Sequence, residues 1–512
     1  MSTSPTAPVS GPWWRELNRY HWFVLIVAAL GWLFDTMDQQ LFNLARVPAM
    51  RSLLKPGEDV ALYSGYSTAI FLIGWATGGL TFGVLGDRIG RAKTMMWTIL
   101  IYSICTGLSA LSVGFWDFAF YRFITGLGVG GEFAVGVSLV AEVMPDKARP
   151  HALGLLQALS AVGNVSAALI SMGLGHLEES GAIGSAWRWM FVIGAVPALL
   201  ALVIRSRLKE PERWTAARAA QQASGRKQMG SYEELFGNAN WKRPAAIAAG
   251  FIVAIIAMAF FGSSSLPKLK IGIGLAIGAI AAGLWTVYGG NGDTRWRRNA
   301  MIGLLLALSG IIGLWGIGFF SIDLVRSVFQ KSFAAEGMDP ARIPGAVTFW
   351  AGVATMMLNV GTFLGITAFS HVSQRIGRRP TFAICFVLAL LSTAMVFLFL
   401  KERSQIFWMM PVMGFCQLSL FGGYAIYFPE LFPTRLRSTG ISFCYNVGRF
   451  AAASGPAVLG LLTSQVYKDQ PEPMRYAGLT MCAVFLLGLI VLPFAPETRN
   501  QPLPEDERGF AH

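Results

Sequence analysis

Long apolar segments separated by short polar ones make up most of this 512-residue chain. A helix that crosses the hydrocarbon core of a bilayer needs about 20 apolar residues, and these segments reach that length repeatedly. The pattern predicts an all-α polytopic membrane protein with about 14 transmembrane helices. Two of these lie between an earlier six and a later six, which are expected at about 22–43, 62–85, 94–114, 116–141, 151–175 and 187–205, and at about 299–325, 344–369, 380–400, 405–428, 438–464 and 476–495.

The polar connections divide the chain into five parts. The linker after the sixth span is expected to be cytoplasmic, with an Ala/Gln/Arg-rich helix at the membrane surface, and the Gly/Ala-rich spans after it have no counterpart elsewhere in the chain. The predicted parts are an N-terminal six-helix bundle (1–205), the cytoplasmic linker (206–243), an inserted transmembrane hairpin (244–298), a C-terminal six-helix bundle (299–496) and a cytoplasmic tail (497–512).

Composition and charge narrow the class of protein. The chain is 54% hydrophobic and only 13% charged, which is too little charge for the surface of a soluble protein of this length. The net charge of +13 comes from cations in the loops, about twice as many on one side of the predicted spans as on the other. This bias predicts that both termini lie in the cytoplasm, and it removes the need for nucleic acid as a partner.

The sequence shows no pattern for a metal, a nucleotide or another cofactor. All five cysteines lie in apolar segments without metal-ligand or disulfide spacing. Residues 126–131 have the glycine spacing of a dinucleotide-binding fingerprint, but inside an apolar helix small residues more simply let two membrane helices approach closely. We therefore expect no cofactor and no enzyme activity, and a monomer whose partners are the lipid bilayer, protons and a small-molecule substrate.

Two short motifs each occur twice in the chain at nearly the same separation. A charged, glycine-rich turn (GDRIGR, within residues 83–93) recurs in degenerate form within residues 370–379, and an E-x-x-P-x-x-x-R motif occurs at residues 142–149 and again at 430–437. A matched pair of motifs at one spacing indicates an internal duplication, which is the signature of a transporter built from two halves.

These motifs resemble those of the major facilitator superfamily over nearly the whole chain. The resemblance implies two pseudo-symmetric six-helix bundles around a central cavity that opens alternately to each side of the membrane. Residues 122–132 and Pro496–Arg499 are similar to the sugar-porter and metabolite:proton symporter branches. Asp35 and Asp38 are similar to the D-G-x-D motif of aromatic acid:proton symporters and bacterial sialic acid transporters, with Thr36 in place of the glycine. The inserted hairpin is similar to that of the fourteen-span sialic acid transporters.

The resemblance also implies a gate. Asp87 is expected to meet the N-terminus of the helix that begins near Ser438, while Arg91 pairs within the turn. Gln374 replaces the acid in the second copy, so the gate is expected to be asymmetric. A purely topological role would explain the arginines but not Asp87. With ion pairs between the bundles from the second motif, the expected gate consists of Asp87, Arg88, Gly90, Arg91, Glu142, Arg149, Glu430 and Arg437.

Three carboxylates within the predicted spans are candidates for proton coupling. Asp35 and Asp38 lie one helical turn apart on one face, and Glu132 lies in the fourth span. An ionised carboxylate in the bilayer core is costly and usually faces a cavity, so these groups are expected to bind and release protons. Asp35 is favoured because Asp38 could pair with a cation instead. The alternative is a structural carboxylate held by Gln39 or by a donor on another helix.

Arg449, near the middle of the thirteenth predicted span, is expected to bind the substrate. A guanidinium at that depth needs a counter-charge or a cavity. Its planar fork suits bidentate capture of a carboxylate, and Asn446, about one turn earlier, presents an amide on a similar face. The alternative is a structural ion pair with Asp323 or Glu132.

Three further polar residues complete the predicted substrate site. Arg122 begins near the outer end of the fourth span, where a charge-relay or gating role competes with snorkelling of its side chain to the surface. Gln157 and Asn164 share a face of the fifth span and either line the cavity or bond to neighbouring helices.

These features predict a secondary active transporter that symports a small organic anion with protons by alternating access. Sialic acid, an aromatic acid and another carboxylate are the candidate substrates. The alternatives are a neutral-sugar porter, favoured by the Pro496–Arg499 tail and the Arg122 helix, and a transport-silent nutrient sensor. A sensor usually adds a long cytoplasmic extension, whereas the predicted tails are short.

Overall fold

The computed structural model describes residues 12–504 apart from 59, 180, 198–199, 201–202, 205–206, 225–228, 262–265, 293, 315–318, 341–342 and 453–461. Within these residues the chain folds into helices joined by short turns and contains no strand. The predicted all-α class is confirmed.

The first bundle begins with a capped helix. The Asn18 side chain accepts a hydrogen bond from the His21 N–H (2.8 Å), and His21 Nδ1 accepts one from the Asn18 N–H (3.3 Å), so two otherwise unpaired donors of the first turn are satisfied. The sixth predicted span is described only in part, because several residues after Gly194 lie outside the described ranges. The helices are α1 (Arg19–Leu53), α2 (Val60–Ile89), α3 (Arg91–Ser109), α4 (Phe115–Val143), α5 (Arg149–Glu179) and α6 (Ala186–Ile193).

The middle of the chain contains two short helices followed by an apolar pair. The helix expected in the linker is present as α7, and the two apolar helices α9 and α10 pack against each other. Asn238 Nδ2 donates to the Thr286 carbonyl oxygen (2.8 Å), so the linker is bonded to the end of the hairpin. The helices are α7 (Glu212–Ser224), α8 (Tyr232–Phe236), α9 (Lys242–Phe261) and α10 (Leu266–Tyr288).

The second bundle repeats the order of the first. Two of its predicted spans are described in part, since residues 315–318 and 453–461 lie outside the described ranges, and the last span consists of two consecutive helices. The helices are α11 (Thr294–Ile311), α12 (Phe319–Ala335), α13 (Ile343–Ile376), α14 (Arg378–Phe399), α15 (Ile406–Leu431), α16 (Arg437–Ala452), α17 (Pro473–Met481) and α18 (Val484–Val491).

Length and hydropathy agree with membrane spans. Among the described residues, 9 helical segments are long and apolar enough to cross a bilayer. The architecture is two six-helix bundles with an inserted helix pair, and the bundles meet along α2–α16 and α5–α13. The protein is therefore a multi-pass membrane protein.

Glycines set the closest helix pairs in both bundles. A Cβ on Gly130 of α4 would lie 2.0 Å from the Trp75 carbonyl oxygen of α2, and a Cβ on Gly414 of α15 would lie 2.0 Å from the Leu358 carbonyl oxygen of α13. Backbones approach this closely only where no side chain intervenes, as in other membrane helix pairs. The duplicated sequence therefore folds into duplicated packing.

The two copies of the charged turn also share one geometry. Gly90 and Gly377 have φ values of 118° and 101°, which L side chains rarely adopt, and each starts the following helix. The next arginine then turns back and donates to a carbonyl oxygen before the turn, Arg91 to Gly86 (2.6 Å) and Arg378 to Ser373 (3.0 Å). We call the end of the molecule that carries both turns the motif end.

Candidate functional site

Arg449 lies on α16 where the two bundles meet. Its guanidinium is buried and stacks on the rings of Trp75 from α2 (3.9 Å to the ring centroid) and Tyr445 (4.4 Å). Nη1 donates to the Tyr445 carbonyl oxygen (2.9 Å) and to Asn446 Oδ1 (3.1 Å), whereas Nε, on the edge that it forms with Nη2, has no hydrogen bond to any described residue. That edge is the side of a guanidinium that binds a carboxylate with two parallel hydrogen bonds.

Asn446 holds the arginine rather than facing outward. Its side chain is fully buried, and Nδ2 donates to the Ser442 carbonyl oxygen and hydroxyl, both at 3.1 Å. These two bonds fix the amide so that Oδ1 faces Arg449. Asn446 therefore orients the predicted anion site from the same helix.

Aromatic residues extend the site into the first bundle. Phe133 of α4 stacks on Tyr445 with ring centroids 3.9 Å apart, and Trp32 of α1 packs on Phe133 at 5.0 Å. Trp75, Tyr445 and Phe133 are not predicted as site residues from the sequence. No local signal separates them from other aromatic residues in apolar helices, because their common wall forms only when α1, α2, α4 and α16 converge.

Asp35 lies on α1 and is fully buried. Its Oδ2 accepts a hydrogen bond from Gln39 Nε2 (3.2 Å), while Oδ1 has no partner among the described residues. The carboxylate interacts electrostatically with Glu132, Asp38 and Arg449. Asp35 is thus a buried, half-satisfied acid whose charge is coupled to the predicted anion site.

Asp38 and Arg122 form a separate pair inside the first bundle. Arg122 Nη1 lies 3.8 Å from Asp38 Oδ2, and both side chains are fully buried. Arg122 also donates to Ser109 Oγ (2.8 Å) and Thr106 Oγ1 (3.2 Å) of α3. The predicted alternative in which the Arg122 side chain snorkels to the surface is therefore wrong, because the guanidinium points inward to a counter-charge. The structure groups Arg122 with Asp38, not with Arg449.

Glu132 is the third predicted proton site. Its Oε2 accepts a hydrogen bond from Thr98 Oγ1 (2.6 Å), and Oε1 has no partner in the described part of the chain. It forms no ion pair with Arg449, so that structural alternative is wrong, because Glu132 faces α3 instead. The side chain of Asp323, the other alternative partner, lies outside what the structure describes.

The polar residues of α5 have different environments. Asn164 Nδ2 donates to Asn359 Oδ1 of α13 (3.1 Å), which joins the two bundles. Gln157 is buried, and its Oε1 has no hydrogen bond to any described residue. Asn164 therefore bonds to a neighbouring helix, whereas Gln157 retains an open acceptor.

Asp87 connects the bundles at the motif end. Its carboxylate accepts hydrogen bonds from the backbone N–H groups of Ser438 (3.1 Å) and Thr439 (2.8 Å) and from Thr439 Oγ1 (2.6 Å), at the start of α16. This is the contact expected from the resemblance, and Arg91 pairs with Asp87 within the turn at 2.9 Å. Gln374 Nε2 has no partner among the described residues, so the contact is asymmetric.

The ion pairs of the second motif agree only in part with the expected pairs between the bundles. Glu142 pairs across the bundles with Arg437 and within its own bundle with Arg91, both at 2.8 Å. Arg149 pairs with Asp146 instead, and Glu430 pairs with Arg378 (2.7 Å). One expected ion pair between the bundles is therefore present, from Glu142 to Arg437, whereas Arg149 and Glu430 pair within their own bundles. Both arginines of the motif also turn back onto their own chain.

That turn is the same in both copies. Arg149 Nε donates to the Ala141 carbonyl oxygen (2.8 Å), and Arg437 Nε donates to the Pro429 carbonyl oxygen (3.2 Å). Arg88, the remaining gate residue, donates from Nε to the Met229 carbonyl oxygen (3.2 Å) in the linker.

Family models match both parts of the chain. Residues 34–231 match the model described as "Sugar (and other) transporter", and residues 337–511 match the model described as "Major Facilitator Superfamily".

Curated relatives match over most of their length. A probable 4-methylmuconolactone transporter of Cupriavidus pinatubonensis is 26% identical, over 94% of this chain and 92% of the relative. The sialic acid transporter NanX of Escherichia coli is 24% identical, over 87% of this chain and 88% of the relative. Among solved structures, the proton:xylose symporter XylE is similar with a TM-score of 0.66 and 17% identity, covering 94% of this chain and 98% of that one.

Proposed function

Because the chain belongs to the major facilitator superfamily of secondary transporters, we propose that it carries a small organic anion together with protons across the bacterial inner membrane. In this proposal the motif end faces the cytoplasm, both termini are cytoplasmic, and a monomer is the transporting unit. The substrates of two relatives, named as a probable 4-methylmuconolactone transporter and a sialic acid transporter, support an acidic or oxygen-rich metabolite as the substrate.

The buried Nε of Arg449, which has no hydrogen-bond partner among the described residues, is the observation that carries the proposal. A guanidinium buried between two bundles loses its hydration, and a carboxylate on its Nε–Nη2 edge would restore both the charge balance and two hydrogen bonds. Nη1 is already occupied by Tyr445 and Asn446, so the Nε–Nη2 edge has one defined orientation. The substrate carboxylate would bind there.

The aromatic wall suggests the shape of the substrate. Trp75, Tyr445 and Phe133 place flat apolar faces beside the anion site. These rings are buried and stack on one another and on the guanidinium; a substrate ring would take over such stacking contacts, whereas a short straight-chain acid would not. We therefore place a ring-bearing carboxylate, such as an aromatic acid or an acid sugar, before a short monocarboxylate.

Asp35 is the proposed coupling acid. Its carboxylate and Arg449 already interact electrostatically, so a substrate anion brought to Arg449 competes with Asp35 for the same positive charge. Binding of the anion at Arg449 therefore raises the affinity of Asp35 for a proton. By linkage, binding of the proton raises the affinity for the anion by the same factor. The loaded, proton-bearing carrier is the form that rocks between its two open states.

Uptake into liposomes tests this proposal. Purified full-length protein would be given an inward proton gradient and a panel of sialic acid, 4-hydroxybenzoate, a short monocarboxylate and glucose. We expect gradient-dependent uptake of one acid, abolished by a protonophore. Arg449→Lys should lose at least tenfold in uptake, because an ammonium cannot replace the bidentate fork.

Arg475→Lys is the matched control. Arg475 is also buried, but it is bonded to the Phe397 and Leu400 carbonyl oxygens and to Glu472, away from the aromatic wall. It should retain most of the uptake in a folded variant. If folded Arg449→Lys and Arg449→Ala both take up the acid as well as the wild type does, the proposal that Arg449 binds the anion is wrong.

A neutral-sugar porter is the second candidate. The first-bundle match to the sugar-transporter family model favours it, as does the similarity in fold to XylE. This candidate would use Gln39, Gln157 and Asn446 as hydrogen-bond partners for hydroxyl groups and would not need the charge of Arg449. Glucose uptake that ignores the proton gradient and survives Arg449→Ala would support it.

A further inference from the structure

The inserted hairpin and the second bundle enclose a groove that the transport site does not use. It has a volume of about 510 Å³ and lies between the end of α10, the start of α11 and the last helix, α18. Its opening is polar, with two arginines on α11, and its wall is apolar. The residues that define it are Tyr288, Arg297, Arg298, Met301, Leu305 and Ile490.

The two arginines carry charge that no described acid compensates. Arg297 Nη1 donates to the Gly290 carbonyl oxygen (3.0 Å), and its guanidinium lies 5.2 Å from the centroid of the Tyr288 ring. Arg298 is exposed and donates from Nη2 to the Phe494 carbonyl oxygen (3.3 Å). Neither forms an ion pair with a carboxylate among the described residues. The opening therefore presents two adjacent guanidinium groups, each with further N–H groups that are able to donate to a bound anion.

The apolar wall begins directly beside these charges. Met301 and Leu305 continue along α11, so the wall extends about 12 Å from Arg297 at 1.5 Å per residue. Ile490 on the facing helix has 66% of its side chain exposed, and Tyr288 has 52%. An anionic head with an attached hydrocarbon chain matches this order of charge and apolar surface.

The groove opens at the motif end of the molecule. Arg298 is bonded to the carbonyl oxygen of Phe494, and Glu497, three residues further on, accepts hydrogen bonds from the N–H groups of Arg378 (2.9 Å) and Arg379 (3.0 Å) in the second charged turn. The cations are thus at the end of the membrane-spanning helices, which is the level of lipid head groups rather than of the hydrocarbon core.

We propose that this groove is a binding site for an anionic phospholipid, whose phosphate is held by Arg297 and Arg298 and whose acyl chain lies along Met301, Leu305 and Ile490. The lipid would join α10 of the hairpin to α11 and α18 of the second bundle. Binding does not depend on which solute the carrier transports, so the inserted hairpin has a role of its own as one wall of a lipid site.

Native mass spectrometry of the full-length protein in detergent tests the proposal. Dioleoylphosphatidylglycerol would be titrated against the protein, with dioleoylphosphatidylcholine and inorganic phosphate as comparison probes. We expect the anionic lipid to bind at least tenfold more tightly than the zwitterionic one, and Arg297→Gln with Arg298→Gln to remove that preference. Met301→Trp retains both charges but fills the groove, and it should weaken lipid binding as well.

Arg379→Gln is the matched control. Arg379 donates to the Pro493 carbonyl oxygen (3.1 Å), one residue from the partner of Arg298, but it lies beside the Glu497 carboxylate. It should leave the lipid preference unchanged. If Arg379→Gln loses as much of the preference for the anionic lipid as the double variant, the proposed site is wrong, because the preference would then reflect the overall charge of the protein. If millimolar inorganic phosphate competes with the lipid, or if Met301→Trp leaves lipid binding unchanged, the proposed lipid site is wrong and the groove is only an anion site.

Discussion

At the scale of single residues, the three buried carboxylates of the first bundle differ in what compensates them. Asp38 has a guanidinium at 3.8 Å, Glu132 has only the hydroxyl of Thr98, and Asp35 has only the amide of Gln39. A buried charge with a counter-ion is a structural element, whereas one with a single neutral donor readily takes up a proton. These environments favour a structural role for Asp38 and leave Asp35 and Glu132 as the candidates for the proposed proton coupling, of which Asp35 is the one that interacts with Arg449.

Replacing each aspartate by asparagine separates these two roles. Asp38→Asn leaves the buried guanidinium of Arg122 without its carboxylate, so we expect a loss of about 3 kcal/mol in stability and a clearly lower thermal midpoint in detergent. Asp35→Asn should change the midpoint little. It should abolish gradient-driven accumulation of substrate while leaving exchange of substrate across the liposome membrane. Equal destabilisation by the two variants would contradict this division.

At the scale of helices, close packing and helix capping explain glycines and acids whose positions the hydrophobic pattern does not account for. Gly130 lies against the backbone of α2, whereas a Cβ on Gly136, on the same helix, would have nothing within 4 Å.

Glu497 caps α14, as Glu210 caps α3 through the N–H groups of Arg91 and Lys93. Each bundle therefore closes its charged turn with an acid from a distant segment.

Alanine at the two glycines tests the close helix pair. Gly130→Ala would place a methyl group 2.0 Å from the Trp75 carbonyl oxygen, so α2 and α4 must separate, at a cost of about 1–3 kcal/mol or more. Gly136→Ala should be neutral or stabilising, because alanine favours the helix by about 1 kcal/mol. Monodispersity after size-exclusion chromatography and the thermal midpoint measure both. A well-folded Gly130→Ala protein with an unchanged midpoint would refute the packing argument.

The cap at Glu497 predicts a pH dependence. Partial burial raises the pKa of this carboxyl, but hydrogen bonds from the backbone N–H groups of Arg378, Arg379 and Arg499 outweigh it, and the pKa lies below its ordinary value. A lowered pKa stabilises the fold above the ordinary glutamate pKa of about 4.3, and that stability is lost as the pH falls through the lowered value. Glu497→Gln should therefore lower the thermal midpoint at pH 7.

The difference between wild type and Glu497→Gln should shrink as the pH falls from 5 toward 3. Thermal unfolding of both proteins across that range measures it. A difference that stays constant with pH would show that the lost contact is not one of charge.

At the scale of the whole molecule, the ion pairs divide into those that join the bundles and those that stay within one. Glu142 joins them, because Arg91 and Arg437 both bond to its Oε1 from opposite bundles. Glu430 stays within the second bundle with Arg378. In a carrier that works by rocking two bundles, only the first kind changes between its states.

Glutamine at the two glutamates separates opening from stability. Both Glu142→Gln and Glu430→Gln should lower the thermal midpoint, since each leaves buried guanidinium groups without a carboxylate. Only Glu142→Gln should open the motif end. The measurement is the rate at which a membrane-impermeant maleimide labels a cysteine placed at Ser442, which is fully buried between the bundles. We expect a several-fold faster rate in Glu142→Gln alone, and equal rates would contradict the assignment.

The helices, the duplication and the family of this protein can all be predicted from the amino-acid sequence alone. Apolar length predicts spans because the bilayer has a fixed thickness, and the repeated turn is a local motif whose glycine and arginine act on their own neighbours. The residues with charges inside the membrane, Asp35, Asp38 and Arg449, were also visible from the sequence, because charge at that depth is conspicuous in any apolar segment.

Which of these residues meet depends on the three-dimensional packing of the helices. Arg437 pairs with Glu142 rather than with Glu430, and Arg122 pairs with Asp38, because helix crossings bring together residues that are far apart in the chain. The aromatic wall around Arg449 consists of side chains that are individually ordinary in an apolar helix, so no pattern in one dimension identifies it. Partner choice depends on where bundles and helices cross, and that is a property of packing.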